Sequence, residues 1–220
     1  MDESILARYN SVDGAKSYTR KWEKHWTERL NNRTEQALVK RILERVGDLG
    51  PNSVGLDLPC GYGRLAPLAS RNVGRLVEGD WSFHLLCEAR EFLGETAVAR
   101  PLGFVRGTAL NLPFPDATFD LVLSARLCHH ISREDERLRY VHEMLRIGRG
   151  WVVFTYFDTY SLKNRLHSAR RRFNGKREKW TLSNEQVRTA ADNMNYEVID
   201  LVPLSRLFSG HRFAVLRRNP

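Results

Sequence analysis

Residues 54–64 read VGLDLPCGYGR. An apolar run over 53–58 carries an acid near its end, Asp57, and gives way to a turn holding Pro59, Gly61 and Gly63 before a helix candidate begins at Arg64. A short apolar run that stops at a glycine-bearing turn predicts a buried strand. Glycines in such a turn allow positive φ and let the backbone approach a ligand closely. In open α/β sheets, ligands bind beyond the carboxyl ends of the strands at the topological switch point, and this turn is placed to lie there.

The residue types narrow the ligand. A dinucleotide fingerprint needs G-x-G-x-x-G and a phosphate loop needs G-x-x-x-x-G-K-[ST]. Here Pro59 stands where the first glycine would be, and no Lys-Ser/Thr pair follows Gly63. A carboxylate at Asp57 also repels a pyrophosphate and suits a ligand with a cationic amine.

Working outward, strand and helix patterns alternate. Helices are predicted at 64–71, 82–93, 134–147 and 184–193, and strands at 75–79, 103–106, 119–124 (FDLVLS) and 151–156 (WVVFTY). The last strand is filled with β-branched and aromatic residues. Alternation of this kind predicts a doubly wound, mostly parallel sheet with helices on both faces. The final pair, near 196–202 and 212–217, is separated by only about ten residues, too few for a helical crossover, so it reads as antiparallel. The expected fold is Rossmann-like α/β with seven strands, one of them reversed near the C-terminal end.

Upstream, 15–46 reads as helix in two pieces. Tyr18, Trp22 and Trp26 are spaced four apart and would share a face, as a core stripe or as a lid over a site. Leu38, Ile42, Leu43 and Val46 form a second stripe, ended by Gly47 and Gly50-Pro51. The domain organisation expected is an N-terminal helical cap over 1–50 and one α/β domain over 51–220, with a basic insertion at about 157–182.

The net charge of +9 is localised. Residues 1–144 contain 20 Lys/Arg and 20 Asp/Glu, whereas residues 145–220 contain 15 against 6. The densest stretch, RLHSARRRFNGKREK at 165–179, has Glu178 as its one acid. Such a run serves as a solvated face, a site for an anionic substrate, or a footprint for nucleic acid or acidic lipid. No apolar run is long enough to cross a membrane, and the first twenty residues lack the apolar core of a signal peptide, so a cytoplasmic location is expected. Cys60, Cys87 and Cys128 form no Cys-x-x-Cys pair, which argues against a disulfide framework and a structural zinc site; no metal is expected.

With these residues in place, a family resemblance emerges. VGLDLPCGYGR resembles motif I of the class I S-adenosylmethionine-dependent methyltransferases, usually D-L-G-C-G-x-G. LVEGDWS at 76–82 resembles that family's second strand, whose terminal acid grips the ribose hydroxyls of the cofactor. GTALNLPFPDATFDLVLSARLCHHI at 107–131 is similar to the signature block of the small-molecule, ubiquinone-methylase-like branch (methyltransferase type 11), matching at Leu112-Pro113-Phe114, Asp116, Phe119-Asp120 and His129-His130. The resemblance covers roughly residues 50–155.

What it implies is S-adenosyl-L-methionine as cofactor, contacted by Asp57, Pro59, Gly61 and Gly63 of the first motif. Asp80 would hold the ribose, Trp81 the adenine, and Thr108, Ala109, Leu110 and Ala125 the rest. His129 and His130 are the catalytic candidates, as base or as orienting groups, against a structural role in capping or packing. Tyr156, Asp158 and Tyr160 would face the acceptor. Two residues depart from the pattern: Pro59 for the first motif glycine, and Thr108 for an aspartate that often bonds the adenine amino group. The expected function is methyl transfer to a small acceptor, anionic or lipid-linked given the basic tract. The alternatives are an RNA methyltransferase, though no RNA-binding module is visible and nucleic acid is the less favoured partner, or a catalytically silent S-adenosylmethionine-binding protein.

Overall fold

The computed structural model describes residues 9–24, 26–96, 101–161, 180–205 and 209–220. Seven strands form one sheet, with β1 Val54–Asp57, β2 Arg75–Asp80, β3 Gly103–Arg106, β4 Phe119–Ser124, β5 Gly148–Phe157, β6 Tyr196–Pro203 and β7 His211–Arg218. Their spatial order is β3-β2-β1-β4-β5-β7-β6. The pairs from β3 through β5 are parallel, and β7 runs antiparallel to both β5 and β6. One reversed strand at the C-terminal side is what the short 203–211 connection dictates.

The helices among the described residues are α1 Val12–Lys24, α2 Trp26–Val46, α3 Ala66–Ala69, α4 Phe83–Thr96, α5 Glu134–Ile147 and α6 Asn184–Asn193. α5 carries Glu134, Asp135 and Glu136 in its first turn and Arg146 in its last, the charge order that complements the helix dipole. α6 opens with a reciprocal capping box between Ser183 and Gln186. None of the helices is long and apolar enough to cross a membrane.

Alternation along the strands sorts the core into two layers. Val122, Val152, Phe154, Ala214 and Leu216 pack with Tyr140, Met144 and Leu145 of α5 and Ala190 and Ala191 of α6. Leu121, Leu123, Val153, Phe213 and Val215 face the other way, against Val39, Ile42 and Leu43 of α2 and Ala66 of α3. The stripe read at 38–46 is therefore built into the main core. The aromatic stripe upstream is split: Tyr18 is half-buried on α1, whereas Trp26, on the next helix, is 71% exposed. Trp22 and the basic segment 162–179, with Arg170, Arg171, Arg172, Lys176, Arg177 and Lys179, lie outside the described residues and side chains.

Two boundaries shift. The helix expected at 64–71 shrinks to α3, because 61–65 stay in the turn that follows β1. β5 begins three residues earlier than read, where Gly148 and Gly150 mask the strand signal; a Cβ at Gly150 would lie 2.5 Å from the Asp120 carbonyl oxygen on β4.

Candidate functional site

The strand order reverses between β1 and β4, and the carboxyl ends of β1, β2 and β4 surround a cavity of about 300 Å³. Its walls include Leu58–Gly61 from the turn after β1, Asp80–Ser82 after β2, Gly107 and Ala109 after β3, and Ala125–Leu127 with His129 and His130 after β4. Tyr9 and Tyr18 enter from the N-terminal segment, and Arg64 and Leu65 from the turn before α3. This is the switch-point crevice expected for an open α/β sheet.

Gly61 has φ +59°, and a Cβ there would sit 3.2 Å from Cε1 of Tyr18, so this turn has room for a ligand on one side only if residue 61 lacks a side chain. The Gly61 N–H donates to Oδ2 of Asp80 at 3.0 Å, and the Ser82 N–H donates to Oδ1 at 2.8 Å. These bonds fix the carboxylate at the end of β2. Burial still pushes Asp80 up to about 6, with the backbone donors pulling the other way. Gly79, one residue before, admits Leu58 so closely that a Cβ would meet its Cδ1 at 2.7 Å. Trp81 lines the cavity with its ring under the Arg106 guanidinium, 5.7 Å from the ring centroid.

Asp57 is fully buried at the end of β1, and neither of its carboxylate oxygens has a hydrogen-bond partner. Burial pushes it up to about 8, opposed by Arg64 and assisted by the nearby Asp80. Glu78, its registered neighbour on β2, is raised well above the carboxylate range, first by burial and then by Asp57. Such a cluster of acids in a dry setting is an electrostatic demand for a cation.

On the opposite wall two arginines share one carboxylate. Glu35 of α2 is buried; its Oε2 accepts from Nη2 of Arg64 at 2.5 Å, and both its oxygens accept from Nε of Arg126 at 2.9 Å. Arg64 also donates to Oδ1 of Asn32. The two arginines hold Glu35 ionised, below its ordinary range despite its burial. The N-terminal helices thus reach the cavity through an ionic bridge as well as through Tyr9 and Tyr18. The Tyr9 carbonyl accepts from the Ser82 hydroxyl, and the Tyr9 and Tyr18 rings meet edge to face at 5.2 Å.

The sequence-derived site residues divide accordingly. Pro59, Gly61, Asp80, Trp81, Ala109, Ala125, His129 and His130 line the cavity together. Asp57 and Gly63 stand behind the lining. Thr108 and Leu110 fold into a local turn, with the Leu110 N–H donating to the Thr108 hydroxyl at 3.3 Å. Arg64, Arg126, Ser82, Gly107 and Tyr9 were not singled out from the sequence; Arg64 at the end of VGLDLPCGYGR was the one within reach of motif reasoning.

At the far end, Cys128–His130 form a single 3₁₀ turn after β4. The His129 ring packs at 4.5 Å from Phe157 and 5.0 Å from His211, and Phe157 and His211 meet at 4.2 Å. Beyond His211 lies a second cavity of about 430 Å³, bordered by Asp158, Tyr160, Ser161, Ser209 and Arg212. Asp158 there accepts from the Arg212 guanidinium at 2.9 Å. Tyr156 points elsewhere: it is buried in the core, and its hydroxyl donates to Asn184 at 2.7 Å, because its position in β5 places it on the α6 side of the sheet.

Residues 56–154 match a family described as a methyltransferase domain. A provisionally named methyltransferase of Encephalitozoon cuniculi is 41% identical over 95 residues, 43% of this chain and 40% of that protein. The ubiquinone/menaquinone biosynthesis C-methyltransferase of Stenotrophomonas maltophilia is 32% identical over 112 residues, 50% of this chain and 44% of that one. The chain thus spans less than half the length of these relatives. In architecture it is similar to the magnesium protoporphyrin IX methyltransferase of Synechocystis, crystallised with bound S-adenosylhomocysteine. The TM-score is 0.80 at 16% identity, covering 99% of this chain and 100% of that one.

Proposed function

Since this chain carries a class I S-adenosylmethionine-dependent methyltransferase domain, we propose that it moves a methyl group from S-adenosylmethionine, held in the switch-point cavity, to a small acceptor approaching past His129 and His130. The observation that carries the reading is Asp80: a buried carboxylate at the end of β2, aimed into the cavity and pinned by two backbone donors. A carboxylate so fixed retains lone pairs for a vicinal diol, the chemistry a ribose presents.

The residues present fit the cofactor. Gly61 leaves backbone exposed where a side chain would crowd Tyr18, Trp81 offers a ring beside Asp80, and Leu58, Leu65, Leu85 and Leu127 supply apolar wall. The unpartnered Asp57 carboxylate, just behind the lining, biases the cavity toward a ligand that carries an amine and a sulfonium. When bound, S-adenosylmethionine supplies a methyl group already activated toward displacement. The chain's part is to align the acceptor with it and exclude water, and alignment alone accounts for much of the rate in such displacements.

His129 and His130 line the cavity on the side away from Asp80's strand, and either imidazole is suited to take the proton an acceptor loses as it gains the methyl group. The two named relatives are a methyltransferase and an enzyme of quinone biosynthesis, so a quinone-like ring is one acceptor class the reading includes. The 15 basic residues of 145–220 favour an anionic or lipid-linked acceptor, and a cytoplasmic setting belongs to the same proposal.

Calorimetric titration with S-adenosylmethionine and S-adenosylhomocysteine tests the reading. Saturable binding is expected, with loss of about 10-fold or more in an Asp80→Ala variant, as for removal of hydrogen bonds to a charged group. Absence of saturable binding by the unaltered chain at millimolar ligand would overturn the reading and leave a catalytically silent interaction protein.

A further inference from the structure

Two cations and one anion face the same cavity wall. Arg64 and Arg126 both line the cavity, and Glu35 behind them carries one negative charge against their two positive ones. Glu35 is sealed from solvent, with 1% of its side chain exposed, so it serves as an anchor that fixes both guanidiniums from behind. Arg126 shows a second peculiarity. Its φ is +63°, a left-handed conformation that a long side chain rarely adopts, and its N–H is held by the Thr155 hydroxyl at 2.6 Å. A backbone outlier held in place at a ligand cavity is the kind of feature that persists because it aims a side chain.

We propose that Arg64 and Arg126 form a carboxylate seat, with Glu35 as its positioning residue, and that this seat takes the carboxylate of the cofactor's amino-acid end. The inference rests on the reading of the cavity as an S-adenosylmethionine site. It divides that site by charge. The Asp57, Glu78 and Asp80 side suits cationic and diol groups, whereas the arginine side carries a net positive charge and the planar forks that match a carboxylate. A zwitterionic amino acid is the ligand portion that has both signs. The arrangement also makes α2, which supplies Glu35 and Asn32, part of the binding site without lining it.

Three ligands separate the possibilities. S-adenosylhomocysteine carries the whole amino acid, its decarboxylated analogue 5′-(3-aminopropylthio)-5′-deoxyadenosine lacks only the carboxylate, and methylthioadenosine lacks the amino acid altogether. By calorimetry the unaltered chain is expected to bind the decarboxylated analogue about 10–100-fold more weakly than S-adenosylhomocysteine, the span for a charge-assisted contact. In Arg126→Met that ratio should collapse toward one while methylthioadenosine binds unchanged, which also reports an intact fold. Arg126→Lys should restore part of the ratio, since it returns the charge without the fork. Equal binding of the first two ligands by the unaltered chain overturns the seat, and so does a ratio that survives in both variants. Should Arg126→Met fail to fold, the ratio in the unaltered chain and its reduction in Arg126→Lys decide the matter. If methylthioadenosine binds but decarboxylation has no effect, the seat is wrong and the cofactor reading stands; if none of the three binds, the cofactor reading itself is wrong.

Discussion

Replacing Glu35 by glutamine removes one charge and almost no volume, which makes it a clean probe of how the N-terminal helices hold the site. In the native arrangement, the Glu35 carboxylate receives Nη2 of Arg64 and Nε of Arg126 with all contacts between 2.5 and 2.9 Å. Its side chain is 1% exposed, and those of Arg64 and Arg126 are 6% and 19% exposed, so water cannot readily take its place. A glutamine offers one acceptor oxygen where two were used and turns an amide donor toward a guanidinium. Two cations then face each other without an anion between them. Removing one partner of a buried pair costs about 3–5 kcal/mol. At about 2–4 °C per kcal/mol for a domain of this size, the melting temperature should fall by roughly 6–20 °C. Thermal melting and urea denaturation without ligand give the number. A double variant, Glu35→Gln with Arg126→Met, should recover part of the loss, because the interactions are shared and non-additive. A loss below about 1 kcal/mol for the single change, the range of solvent-exposed pairs, would refute the picture of a dry, charge-locked bridge.

Two further outcomes follow from the cavity floor. Asp57 keeps its proton in the folded chain up to about pH 8 but releases it near its ordinary 3.8 when unfolded, so its contribution to stability is fully present below pH 4 and declines as pH rises to 8. Between pH 5 and 7.5 this is on the order of 3 kcal/mol, and Asp57→Asn should remove that part of the slope in denaturant titrations across the range; identical slopes in both proteins would sink the assignment. Gly61→Ala should cost roughly 1–2 kcal/mol for its left-handed backbone, and more if the Tyr18 ring cannot move from a Cβ at 3.2 Å. A melt and a cofactor titration indistinguishable from those of the unaltered chain would show that the turn does not need a glycine.

The sheet was legible wherever local periodicity agreed with burial. FDLVLS and the 134–147 helix end where their sequences say, since alternation and terminal charge both report the same element. Asp57, Gly61 and Asp80 were legible because a strand followed by a glycine turn constrains what its terminal acid can touch. The arginine wall was not. Glu35 is 29 residues from Arg64 and 91 from Arg126, and nothing in the local pattern of α2 distinguishes a buried carboxylate from the exposed ones beside it. Tyr156 was misjudged for a related reason: proximity to a strand end does not say which face a side chain takes, and register does. The split of Tyr18 from Trp26 reflects the helix break between Lys24 and Trp26, which a spacing of four cannot reveal.

The reversed strand also sets the order in which the molecule can be finished. β7 pairs along β5 from Trp151↔Arg217 to Phe157↔His211 and along β6 on its other side. During synthesis, every strand but this one can be in place while β5 still presents a bare edge rich in valine, phenylalanine and tyrosine. Such an edge is a template for pairing with another nascent chain. Only when residues 211–218 have cleared the ribosome can the gap be filled, and β6 has no neighbour to join until then. Loss of those eight residues would therefore detach two strands rather than one, and a premature stop near residue 210 should yield an insoluble product although the cofactor motifs upstream remain whole.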